Sequence, residues 1–221
     1  MAVELPALSL LETRVLGVLV EKQRTVPDTY PLTLNALVAG CNQKTSRDPV
    51  INASEADVQA TIDRLRGLAL VIESSGGRVM RYAHNVERVL AIPSQAVALL
   101  ATLMLRGPQT VAELRINCDR LHSFADVSAV EAFLHELAER TSGALVVELP
   151  RAPGARENRW MHLLSGPPAL PSGPVAAAAP EERSTMTEIA ALKATKNELR
   201  QELDALKTTV ARLSAALGEE P

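Results

Sequence analysis

The sequence predicts a mainly α-helical α+β chain: two tandem winged-helix modules and then a C-terminal coiled-coil helix. Three observations carry this. An order of three amphipathic helices and a β-hairpin occurs twice, about 85 residues apart. A stretch rich in Pro and Ala follows the second hairpin. Beyond it, apolar residues fall into an unbroken heptad pattern.

The first module is assigned to residues 1–85. Ser9-Leu-Leu-Glu12 has the form of a capping box, in which serine and glutamate satisfy free amides of the first turn. Leu8, Leu11, Val15, Val18 and Leu19 then recur at helical spacing. Thr25-Val-Pro27-Asp28 breaks that helix, and Pro31 is expected to open a second one carrying Leu34, Leu37, Val38 and Cys41. The polar run from Asn42 to Asn52 reads as a loop. Ser54-Glu-Ala-Asp57 caps a third helix with a buried stripe of Val58, Ile62, Leu65 and Ala69. Leu70 to Glu73 and Arg78 to Ala83 make a hairpin around Ser74-Ser-Gly-Gly77.

The second module, residues 86–166, repeats the order. Gln95 to Arg106 is helical and stops at Gly107-Pro108. Thr110 to Arg120 is the next helix, and Asp126 caps a third with Val130, Leu134 and Leu137 inward. Leu145 to Leu149 and Asn158 to Leu164 form the hairpin. Residues 167–187 read as a disordered linker. Over 188–217, Ile189, Lys196, Leu203, Val210 and Leu217 alternate with Leu192, Leu199, Leu206 and Leu213. That is an a/d seam of about four heptads, expected to join two copies in a parallel pair.

Composition narrows the function. Apolar residues make up 47% of the 221-residue chain, but aromatics only 2%, so the cores must be aliphatic. The net charge of −3 exerts no general pull on nucleic acid or anionic lipid. Cys41 and Cys118, the two cysteines, form no CxxC pair, as expected for a reducing compartment. The start has no basic, apolar leader pattern, and no run approaches a bilayer span. A cytoplasmic protein acting away from membranes is expected. His84, His122, His135 and His162 show no zinc spacing, and no nucleophile elbow or carboxylate pair is marked out. No catalytic residue, metal site or cofactor is expected.

Several separated motifs carry a family resemblance: Glu21-Lys-Gln, Tyr30-Pro-Leu, Cys41-Asn-Gln-Lys-Thr, Arg47-Asp-Pro-Val50, Leu105-Arg-Gly-Pro-Gln-Thr110, Glu113-Leu-Arg115 and Pro153-Gly-Ala-Arg-Glu-Asn-Arg159. Over about residues 8 to 164 the chain resembles the YceH-like family of bacterial proteins. The resemblance implies a tandem winged-helix fold and no particular activity.

Two features could contact a partner. Asn42, Gln43, Lys44, Thr45 and Arg47 line up donors that could clamp phosphates, or else cap the adjoining helices. Arg78 on the first hairpin and Arg151, Arg156 and Arg159 on the second could form basic wings, or ordinary solvated charge beside Glu148 and Glu157. The third helices weigh against DNA. Their outward positions offer Glu55, Ala56, Gln59, Ala60 and Asp63 in one module, and Ser128, Glu131, Ala132, His135 and Glu136 in the other. Carboxylates facing phosphates are repelled. The expectation is a dimeric, non-enzymatic adaptor or regulator that binds an unidentified protein. The alternative is a DNA-binding transcriptional regulator gripping DNA through the 42–47 loop and the wing arginines.

Overall fold

A computed structural model describes residues 5–74 and 79–168. These residues form an α+β structure with seven α-helices and two small antiparallel sheets. Arg78, nearly all of the linker and the whole heptad segment, Ile189 to Leu217, lie outside the described residues.

Local signals set most helix starts. Helix α1 (Leu10–Thr25) begins at Ser9, whose amide donates to Glu12 Oε2 at 2.6 Å while Ser9 Oγ accepts from the Glu12 amide at 3.3 Å. Matching capping boxes join Ser54 to Asp57 before α3 (Glu55–Gly67) and Thr110 to Glu113 before α6 (Val111–Cys118). Asp126 caps α7 (Val127–Ala138). Each box satisfies amides that have no partner within the helix.

The second helix starts later than expected. Leu32–Thr33 is a short strand, β1, and Thr33 caps α2 (Leu34–Cys41). β1 pairs with β3 (Arg81–His84), placing Leu32 opposite Tyr82, and β3 pairs in turn with β2 (Val71–Ser74). The strand order is therefore β1-β3-β2. Ala69 also departs from expectation. It lies beyond α3, is exposed and has a φ of 58°, so the buried stripe ends at Leu65 and resumes at Leu70.

A short helix, α4 (Val86–Leu90), which sequence periodicity does not mark, leads to α5 (Ser94–Arg106). β4 (Val146–Glu148) and β5 (Trp160–His162) make the second hairpin. A single bridge between Gln109 and Trp160 takes the place that β1 holds in the first half. Helix, bridge or strand, two helices, hairpin is thus the order in both halves.

The two halves share one apolar core. In α1 every residue from Glu12 to Val20 is buried, and in α5 every residue from Ala96 to Leu105. A helix buried all round is packed from several sides, and here α1 and α5 pack on each other as well as on their own modules. Gly17 permits the close approach: a Cβ there would sit 2.8 Å from Leu105 Cγ. A further tie runs from the Leu8 amide to the Leu164 carbonyl at 2.8 Å. Among the described residues no helix is long and apolar enough to cross a membrane.

Candidate interaction surface

The 42–50 loop is held from both sides. Asn42 bonds both backbone groups of Ala53, donating to its carbonyl at 2.9 Å and accepting from its amide at 2.8 Å. The Asp48 amide donates to the Leu105 carbonyl at 2.8 Å, and Arg106 donates to Ser46 Oγ at 2.7 Å. Arg47 points inward. Its side chain is fully buried and donates to both carboxylate oxygens of Glu21, at 3.1 and 2.6 Å. It also donates to Gln43 Oε1 at 2.7 Å and to the carbonyls of Gly40 and Ser46. Burial alone would raise the Glu21 carboxyl, but the hydrogen bonds and charge of Arg47, with the charge of Lys22, hold it below the usual range. Lys44 and Thr45 remain exposed. The loop therefore divides into residues that brace the fold, Asn42, Gln43 and Arg47, and residues open to a partner, Lys44 and Thr45.

The second hairpin divides the same way. Arg159 donates to the Pro108 carbonyl at 2.8 Å and pairs with Glu113 at 3.0 Å. Arg151 and Arg156 are exposed and pair with no carboxylate among the described residues. On the first hairpin, Arg81 donates to the carbonyls of Thr29 and Pro31, at 3.2 and 2.7 Å.

The outward faces of the third helices are acidic. On α3, Glu55, Ala56, Ala60 and Asp63 are exposed, and Gln59 is tied to Asp63 and to the Tyr82 hydroxyl. Its arginines are engaged with acids: Arg64 with the buried Glu12 at 2.9 Å, and Arg66 with Asp63 and with Glu73 at 2.8 Å. On α7, Ser128, Glu131, Ala132, His135 and Glu136 are exposed, and the His135 ring meets Trp160 edge-on at 5.3 Å. Trp160 itself is buried. Exposed apolar residues stand on the same helical pair: Ile116 of α6, at 72% exposure, and Val127 at the start of α7. Sequence reading passed over Ile116, because a lone isoleucine in an amphipathic helix is ordinarily taken as core.

No group of metal-ligating side chains occurs among the described residues. Burial pushes the Cys41 thiol up to about 12 and the Cys118 thiol up to about 11, so both stay protonated and unreactive at neutral pH. Burial also lowers His84 and His162, each to about 4. Both are neutral in the folded state, whereas an unfolded histidine titrates near 6.5. Their contribution to stability is therefore complete above about pH 6.5 and is lost as pH falls towards 4, by about 1.4 kcal/mol per pH unit for each ring. His162→Phe should flatten the acid limb of a stability–pH curve; a limb of unchanged slope would remove His162 from its cause.

A family model described as "Protein of unknown function, DUF480" matches residues 8–155, from the approach to α1 into the second hairpin. The chain belongs to this family. It is 59% identical over 219 residues to a UPF0502 protein of Dechloromonas aromatica, covering 99% of this chain and 98% of that one. A relative in Methylibium petroleiphilum is 60% identical over 199 residues, covering 90% and 85%. One in Burkholderia pseudomallei is 60% identical over 208 residues, covering 94% and 88%. The bacterial family anticipated from the motifs agrees with these matches. The D. aromatica alignment spans almost the whole chain, so the segment that holds the heptads is shared by that relative.

Proposed function

We propose that this chain is a non-enzymatic adaptor or regulator, built from two winged-helix modules, that acts chiefly by contacting other proteins. The acidic outward faces of α3 and α7 carry this reading. In winged-helix proteins that bind DNA, the third helix enters the major groove, where Glu55, Asp63, Glu131 and Glu136 would meet phosphate charge. The arginines of α3 do not offset this, because Arg64 and Arg66 are already paired with acids. Ile116 and Val127, exposed beside the α7 face, suit a protein partner that covers apolar surface and supplies basic residues around it.

The element order supports the module assignment: helix, strand or bridge, two helices and hairpin, in each half. The heptads from Ile189 to Leu217 would pair two such chains in parallel, with Lys196 at an a position setting register. A monomer in sedimentation at tens of micromolar would remove dimerisation from the reading.

Lys44, Arg151 and Arg156 favour the second reading, a DNA-binding regulator, since all three are exposed. One experiment separates the two. Tagged full-length protein and a Glu131→Lys/Glu136→Lys variant are used to capture partners from cytosol, with and without nuclease. The adaptor reading expects captured proteins that survive nuclease and are lost with the charge reversal. Direct binding of the unmodified protein to duplex DNA, with affinity falling steeply as salt rises, would establish the regulator instead.

A further inference from the structure

We propose that the cleft between the two modules is a binding site for a small phosphate-bearing molecule, held by Lys22, Arg106 and Arg120. The cleft has a volume of about 230 Å3, and its walls come from both halves. The end of α1 supplies Glu21, Lys22 and Thr25, and the 42–46 turn supplies Gln43, Thr45 and Ser46. From the second half come Arg106, at the end of α5, and Asn117 and Arg120 around the end of α6.

The charge there is opposite in sign to that of the whole chain. Three cations line the cleft against one acid, Glu21, and that acid is already held by the buried Arg47 at 2.6 Å and by Lys22 at 3.1 Å. Arg106 and Arg120 pair with no carboxylate among the described residues. Cations often sit one by one at helix C-termini, where they answer the helix dipole. Here Lys22 lies in the last turn of α1 and Arg106 ends α5, so part of their charge answers those dipoles, while Arg120 lies two residues past the end of α6 and lines the same cavity.

The neutral groups fit the same chemistry. Gln43 spends its Oε1 on Arg47 at 2.7 Å, which leaves its Nε2 amide as a donor. Thr45 adds an exposed hydroxyl. Guanidinium and ammonium groups lining one partly enclosed space suit a phosphoryl group, which would compete with Glu21 for Lys22 and with Ser46 for Arg106. The cleft leaves room beyond the phosphoryl group for a modest appended moiety.

A ligand braced by both modules stabilises the folded chain by mass action. The test uses the full-length protein with inorganic phosphate, a nucleoside monophosphate and a short duplex DNA. Binding is read by titration calorimetry and by thermal unfolding, with chloride at matched ionic strength as control. Phosphate or the monophosphate should bind and raise the melting temperature. Arg120→Ala, which alters an exposed side chain, should melt like the unmodified protein in chloride and bind the anion about tenfold or more weakly, the cost of one charge-assisted contact. Lys22→Ala should weaken binding likewise. The proposal is overturned if neither small anion acts beyond chloride, if both variants bind unchanged, or if only the duplex binds. None of these outcomes depends on whether the acidic faces of α3 and α7 recruit a protein.

Discussion

Replacing Arg47 with alanine should destabilise the protein by about 3–5 kcal/mol, the range for breaking a buried ion pair from one side. The Arg47 side chain is fully buried, and its Glu21 partner is 14% exposed. With the guanidinium gone, the Glu21 carboxylate stays in a poorly solvated place with only Lys22 beside it at 3.1 Å. The carbonyls of Gly40 and Ser46 and the side chain of Gln43 lose a donor at the same time. Neutralising the stranded acid should recover part of the loss, so Arg47→Ala/Glu21→Gln should be more stable than Arg47→Ala alone. Lys44→Ala, three residues from the pair's arginine but exposed, should change stability by less than about 0.5 kcal/mol. Urea unfolding midpoints at constant m-value measure all three. If Arg47→Ala unfolds at the same midpoint as Lys44→Ala, the ion pair is not a structural support.

The contrast between Lys44 and Arg47 shows where sequence reading ends. Both are cations in one polar run, and what separates them is Glu21, 26 residues upstream and on another element. Local signals fare better. The boxes at Ser9, Ser54 and Thr110 are complete within four residues, so the sequence alone places those helix starts. Strand β1 is legible only through its partner: Leu32 and Thr33 are extended because β3 lies beside them, about 50 residues on. Pro31, a common first residue of helices, points the other way. The same limit applies to α1, whose expected face is one-sided. Burial from Glu12 to Val20 follows from α5 packing against it, a contact with no period in the sequence of α1. The acidic faces of α3 and α7 needed only helical spacing and were legible in full. The cation-lined cleft combines Lys22, Arg106 and Arg120 from three separate helix ends and could emerge only from the fold.

Arg14 should prove as sensitive as Arg47, for a different reason. It is completely buried in the middle of α1, and no carboxylate lies within ion-pair distance among the described residues. Its Nη1 donates to the Cys41 carbonyl at 3.2 Å and its Nη2 to the Pro49 carbonyl at 2.6 Å. One side chain thus ties the end of α2 and the far side of the 42–50 loop to the central helix. Burial, and then the nearby charge of Arg47, lower its pKa, which marks the cost of holding a cation there. The two hydrogen bonds offset that cost, the one to buried Cys41 most of all, since its carbonyl would otherwise lose this donor away from solvent. Arg14→Ala removes both bonds and opens a cavity, with an expected loss of about 3–5 kcal/mol. Arg14→Met fills most of the space and removes the charge but leaves the carbonyls of Cys41 and Pro49 unpaired. It should fall between the unmodified protein and Arg14→Ala. Hydrogen exchange should locate the damage, with amides around Asn42 and Asp48 losing protection before those of α7. If Arg14→Met equals or exceeds the unmodified protein in stability, desolvation outweighs the two hydrogen bonds, and the loop must be held by Asn42, Arg47 and the Asp48 amide without help from Arg14.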